Sequence, residues 1–250
     1  MKSSSNWLKS GLIAAVCGVL TGCATGPAAV SEPMPATLAD WSSRELPGKR
    51  ATNYSFVHRE GQACVLARSE QSVSLWRRAV HVTPGQLDTL QFDWWISDHE
   101  PTATVADAQT DDAPARLLLG FDGDTSRLSM RNRMQFELAE TLTGEAPPFA
   151  TLMYVWDASA APGTVIISTR SDRIRKIVVG SGKKSARSWQ RLRRNVQADY
   201  QLAFGEPAGN LVNLAMMTDS DNTRSRAEAC YGSILLLNEQ QQAQSGSLQF

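Results

Sequence analysis

Leu90-Gln91-Phe92-Asp93-Trp94-Trp95-Ile96-Ser97 is the stretch on which the fold turns. In an extended chain successive side chains point to opposite faces. One face here is Leu90, Phe92, Trp94 and Ile96, and the other is Gln91, Asp93, Trp95 and Ser97. A helix would mix the two sets, so the stretch reads as a strand with one buried side. Further strand candidates are 62–68, 72–80, 115–122, 150–156, 164–169, 175–180, 187–196, 210–218 and 229–236, punctuated by Gly, Pro and Asp. Short strands in this number predict a mainly β protein, a single jelly-roll-like antiparallel β-sandwich with one or two short helices. A helix is expected over 128–142, where Met130, Met134 and Leu138 recur at four-residue steps ahead of Pro147-Pro148. A shorter one is expected over 196–204, ended by Gly205.

The beginning of the chain carries an address. Lys2 and Lys9 precede an apolar core over 11–20, too short to span a bilayer as a mature helix. Leu20-Thr21-Gly22-Cys23 then resembles the bacterial lipoprotein signal, in which the cysteine is lipidated and becomes the new N-terminus. The resemblance implies a signal peptide at 1–22 and lipid on Cys23. With Ala24 next, it implies an outer-membrane lipoprotein facing the periplasm, anchored to the membrane without crossing it. Residues 23–50, rich in proline, are expected to be a lipidated tether, 51–237 the sandwich domain, and 238–250 a polar disordered tail.

Without residues 1–22 the chain holds 23 basic and 25 acidic residues, a balance that gives no electrostatic reason for nucleic acid as a partner. A periplasmic location also removes nucleotides as everyday ligands. Cys64 and Cys230 remain in an oxidising compartment, where they are expected to form a disulfide; two buried free thiols are the alternative. The bridge would close a loop of more than a hundred residues and stabilise by roughly 4 kcal/mol.

Several motifs fail. Gly180-Ser181-Gly182-Lys183-Lys184-Ser185 lacks the spacing of a phosphate loop, because Ile177 stands where glycine is needed and Lys184 where a hydroxyl is needed. No G-x-S-x-G elbow and no H-E-x-x-H occurs, and His58, His81 and His99 have no metal spacing. The acidic loop Met216–Thr223 fails as an EF-hand, with Arg224 at the glycine position and Cys230 at the terminal glutamate. Three readings stay open for it: a strand-ending turn, the wall of a pocket, or a looser calcium cage of Asp219, Asp221 and Asn222 with Glu228.

Asp93 and Trp95 share a strand face, as do Arg116 and Asp122 on another strand. A ring that stacks on a sugar's C–H face, beside carboxylates and a guanidinium that take its hydroxyls, is the chemistry of glycan binding. The alternative puts Trp95 in a second apolar layer under the 128–142 helix and pairs Arg116 with an acid. Tyr154 and Trp156 read as core. Arg191, Arg193 and Arg194, with Lys183 and Lys184, read as a solvated strand face, with lipid phosphate as the other possibility.

Leu152-Met153-Tyr154-Val155-Trp156-Asp157, Arg175-Lys176-Ile177-Val178-Val179-Gly180-Ser181-Gly182, Asp199-Tyr200, Phe204-Gly205-Glu206, Met217-Thr218-Asp219-Ser220-Asp221-Asn222 and Tyr231-Gly232 occur in one order. In this the chain resembles the bacterial domain-of-unknown-function 3047 family over roughly residues 41–237. The resemblance brings no established activity. It implies a jelly-roll-like fold similar to carbohydrate-binding and galactose-binding-like domains. Cys230 departs from that pattern, so the disulfide would be a local feature. The functional expectation is a non-catalytic module binding a glycan or other polar ligand through Asp93, Trp95, Arg116, Asp122, Asp219, Asp221 and Asn222. The alternatives are an envelope glycan hydrolase using an acidic pair and an assembly protein that contacts envelope proteins and takes no small ligand. No cofactor is expected beyond calcium in the acidic loop.

Overall fold

The computed structural model describes residues 31–97 and 100–250. The signal peptide, Cys23 and His99 lie outside the described residues. The strands are β1 (Ser42–Glu45), β2 (Asn53–Arg59), β3 (Gln62–Glu70), β4 (Ser74–Val82), β5 (Thr89–Ile96) and β6 (Arg116–Phe121), followed by helix α1 (Met130–Thr143). Then come β7 (Ala150–Asp157), β8 (Val165–Ile167), β9 (Ile174–Ser181), β10 (Trp189–Asn195), helix α2 (Val196–Phe204), β11 (Leu211–Met217) and β12 (Arg226–Leu237).

They form two sheets, ordered β1-β4-β11-β6-β7-β9-β8 and β10-β5-β12-β3-β2. From β3 to β6, and again from β9 to β12, the chain passes to the other sheet at every strand, the back-and-forth winding of a jelly-roll-like sandwich. One pair departs from the expected antiparallel pattern. β7 and β9 run parallel because the short β8 folds back on the far edge of β9 and spends the intervening reversal.

β5 is built as its alternation predicts. Leu90, Phe92, Trp94 and Ile96 point between the sheets and are at most 2% exposed. Phe92 stacks on Tyr154 of β7 across the gap, with ring centroids 5.8 Å apart. Burying side chains of this size contributes about 1.5–3 kcal/mol each. Tyr231 straps the sheets from within: its hydroxyl donates to Met217 O at 2.5 Å and accepts Arg116 N–H at 3.2 Å.

Four expectations are corrected. The sandwich begins before residue 51: β1 pairs with β4, and Leu38 and Trp41 are core residues. β1 reads Ser-Ser-Arg-Glu and carries no apolar alternation, since an edge strand can be held by backbone pairing alone. The tail 238–250 is ordered. Leu248 exchanges backbone hydrogen bonds with Ile234 and is buried, and the Phe250 ring lies 5.4 Å from Phe56. At α1 the apolar stripe faces out: Met130 is 79%, Met134 64% and Leu138 58% exposed. The inward face is polar at its start, where Asn132 donates to Asp172 and accepts from Ser171 Oγ at 3.0 Å, and continues through Phe136 and Ala139. Finally, Trp95 does not lie under α1. It belongs to the five-stranded sheet, whereas α1 lies against the other sheet and is tied by Arg44 of β1 to the Thr143 carbonyl.

Candidate functional site

The acidic loop is part of a buried clasp. Arg116 opens β6 opposite Met217, so its side chain lies on the outer face of the seven-stranded sheet where the chain leaves β11. Its Nε lies 2.9 Å from Asp219 Oδ1, and its Nη2 2.8 Å from Asp219 Oδ2 and 3.0 Å from Asp111 Oδ1. Lys176 of β9 donates to Asp111 Oδ2 at 2.6 Å and to Val105 O at 2.9 Å. Ala113 N–H donates to Asp219 Oδ1 at 3.0 Å. Asp112 accepts from Asn222 N at 3.1 Å and from Thr223 N and Oγ1 at 2.6 Å each. Asn222 Nδ2 donates to Ala108 O at 2.9 Å, and Lys49 pairs with Asp221. Together these bonds fasten the segment 105–113, which covers Val155 and Val178, to the loop after β11.

Burial dominates the electrostatics. Asp219 is pushed up to about 6 by desolvation, which Arg116 opposes and Asp112 reinforces. Lys176 is lowered by burial and by the Arg116 charge. Burial acts to raise Asp111, but Arg116 and Lys176 together hold it below the usual carboxylate range.

Asp112, Asp219 and Asp221 bring carboxylate oxygens within 4.8 Å of one another. They do not suit a cation, because Asp219 is filled by a guanidinium and an amide N–H, Asp112 by three donors, and Asp221 by the Lys49 ammonium. Glu228 lies in the other sheet, between Arg59 at 2.6 Å and Arg68 at 2.8 Å, so the expected calcium set of Asp219, Asp221, Asn222 and Glu228 does not assemble. Nor do Asp219 and Asp221 form an acid–base pair in an open cleft, since Asp219 is 3% exposed.

The seven expected ligand residues fall in three places. Arg116, Asp219, Asp221 and Asn222 share the clasp. Asp122, at the far end of β6, accepts from Asn210 N at 2.6 Å and Nδ2 at 2.8 Å and so ties β6 to the start of β11. Asp93 and Trp95 lie on the outer face of the five-stranded sheet, directed away from the other two places. Trp95 is 6% exposed. The Arg59 guanidinium lies 3.9 Å above its ring, Glu60 Oε1 accepts its N–H at 3.0 Å, and the ring packs on the Cys64–Cys230 disulfide. Asp93 accepts from Arg191 Nε at 3.0 Å and from Gln62 Nε2 at 3.4 Å. Beside it Trp189 lies over Gly232, where a Cβ would be 3.3 Å from the indole ring and 2.8 Å from Gln62 Nε2. Sequence reasoning missed Arg59 and Trp189, although the alternation of β10 puts Trp189 and Arg191 on one face.

A largely apolar concavity lies elsewhere. A groove of about 490 Å³ runs between α1, Leu46-Pro47, Pro147-Pro148 and the outer-face residues Thr151 and Ile174 that begin β7 and β9. Phe136, Leu138 and Leu142 form its apolar wall, with Gln135, Arg170 and Arg173 at its rim. Ser129 caps α1 by accepting Asn132 N–H at 3.2 Å, and Gly144, at φ 72°, ends it in the left-handed region. The chain then returns through Pro148, which sits on Gly120 so closely that a Cβ there would be 2.7 Å away. Arg173 is fixed by Glu206 at 2.7 Å and lies 4.0 Å over the Phe149 ring. The lining carries no carboxylate, histidine or cysteine among the described residues. The sequence signals for the groove were Pro147-Pro148, read only as a helix stop, and Leu46-Pro47, placed in the tether.

Comparison with known proteins places the chain by family. Two solved structures, both engineered variants of ENZbleach xylanase, align over 83% and 81% of this chain and 90% and 89% of theirs, at 6% identity and TM-scores of 0.37 and 0.36. Alignments this loose bear on neither activity nor ligand. No curated protein matches. Residues 39–235 match the family described as "Protein of unknown function (DUF3047)", and the chain belongs to that family.

Proposed function

We propose that this chain is a non-catalytic binding module of the cell envelope, held at the periplasmic face of the outer membrane by lipid on Cys23. Its ligand lies in the groove beside α1 and is amphiphilic, with an apolar body against Phe136, Leu138 and Leu142 and a polar or anionic head at Gln135, Arg170 and Arg173. The observation that carries this reading is the groove itself: a concave, largely apolar space with a few polar groups at its rim is the general form of a small-molecule site. The lining favours binding over glycoside hydrolysis, which most often uses a pair of carboxylates about 5–10 Å apart.

The test is titration with a dansylated fatty acid. The parent chain should give saturable fluorescence that Ala139→Trp and Leu46→Trp, which fill the groove from opposite sides, each reduce about tenfold or more. No saturable signal, or a signal in both variants equal to the parent's, would sink the reading. A second reading, glycan binding on the five-stranded sheet, is favoured by Trp189, which lies against Gly232 beside Asp93, Gln62 and Arg191. Glycan-array binding lost in Trp189→Ala and kept in Ala139→Trp would select it.

A further inference from the structure

The groove explains only part of the outward face of α1: Leu138 and Leu142 line it, whereas Met130 and Met134 do not. Met130, Met134, Leu138 and Leu142 are 79%, 64%, 58% and 60% exposed, four large apolar side chains on one helix. At four-residue steps they make a stripe about 18 Å long. Scattered exposed apolar residues are ordinary, but an ordered row along one element marks an interaction surface.

We infer that this face docks on an anionic bilayer surface, with the stripe in the headgroup boundary and Arg127, Arg131 and Arg170 over the phosphates. The charge is arranged for it. All three arginines are exposed. Arg131 bonds to the carbonyl of Thr169, which leaves its charge unneutralised by that contact, and of the three Arg127 meets a carboxylate, Glu206 at 3.0 Å. By helical rotation Arg131 falls within the arc of the stripe, whereas Glu140 is on the opposite side with Arg133, and Glu137 is at its margin. An apolar row with arginines beside it is the pattern of a helix lying in a membrane interface.

Chain length agrees. Eight residues separate Cys23 from Glu32, whose N–H is bonded to Phe56 O. They reach at most about 30 Å, so lipid on Cys23 keeps the domain within one domain diameter of the bilayer. A second copy of the chain suits this face less well. A footprint of about 18 Å by 10 Å is far below the roughly 800 Å² per partner of a stable dimer.

The experiment removes the anchor. Every described element lies after residue 31, so the chain from residue 23 with Cys23→Ser carries the fold. It is floated with phosphatidylethanolamine–phosphatidylglycerol vesicles and with phosphatidylcholine vesicles. The expected result is binding to the anionic vesicles that weakens with salt. Met130→Glu with Met134→Glu should abolish it; neither residue lines the groove, and fatty-acid binding should persist in that variant. Arg127→Glu with Arg131→Glu should lower it by at least about tenfold. Unchanged melting would show that these exposed changes leave the fold intact. Failure of the parent chain to float, equal flotation of the variants, or a parent dimer that Met134→Glu dissolves would each overturn the inference.

Discussion

Asp219 shows how much one carboxylate can hold. It takes two bonds from Arg116 and one from the Ala113 amide, at 2.8–3.0 Å. Its proton affinity carries a consequence for stability. In the folded chain it titrates near 6, against 3.8 for an unperturbed aspartate. Between those values the folded state binds more protons than the unfolded state, so this group's contribution to stability falls as pH rises from about 4 to about 6. Asp111 is depressed and acts oppositely; its contribution is present above the unfolded value and is lost on acidification. Denaturant unfolding of the parent and of Asp219→Asn isolates the first effect. We expect the parent to lose up to about 3 kcal/mol relative to the variant between pH 4 and 6.5. Parallel pH profiles would contradict it. None of this was legible in the loop alone. Its partners Asp112 and Arg116 stand about a hundred residues earlier, and the Asp and Asn content that suggests calcium is equally what a chain needs to accept its own amides.

At the scale of elements the reading was uneven, for physical reasons. β5, β7 and β11 declared themselves because each alternates large apolar side chains with others over a full strand, and α2 ends at Gly205 as its sequence said. β1 and β2 lie at sheet edges, where pairing on one side suffices and patterning is weak. In α1 the strongest apolar periodicity marks the face away from the protein, because Asn132 and its bonds to Asp172 and Ser171 fix which side turns inward. The seven expected ligand residues are spread over three places for a related reason: period two says which residues share a strand's face, and nothing about which sheet carries the strand. The cap of α1 is a local test of this packing. Ser129→Ala should cost about 1 kcal/mol in unfolding free energy. Because the cap begins the wall of the groove, amphiphile affinity should fall with it, as fluorescence titration would show. Unchanged stability would mean that tertiary bonds alone position the helix.

The whole molecule is a sandwich whose five-stranded sheet is sewn to itself. Cys64 on β3 and Cys230 on β12 are 166 residues apart in sequence, with Cα atoms 5.6 Å apart, and both are fully buried beneath Trp95. This bridge was legible from cysteine arithmetic, together with the oxidising compartment that the start of the sequence led us to expect. Closing so long a loop restricts the unfolded chain, and replacing both cysteines by serine should lower stability by about 4 kcal/mol, measured as the shift in a reversible denaturation curve. A change below about 1 kcal/mol would show that the unfolded chain is already compact. The tail was not legible, since the ten polar or small residues 238–247 precede Leu248 and hide the one side chain that enters the core.

Glu32 and Phe250 both meet β2 at the same residue, one through the Phe56 carbonyl and the other against its ring. Their neighbourhood makes the chain a near-closed circuit. A few glycines could stitch residue 250 to residue 32, and the polypeptide could be reopened at Gly144-Glu145, outside both sheets, to give a rearranged gene product with the same layers. New ends placed there would sit beside the groove, where a reporter dye could be attached.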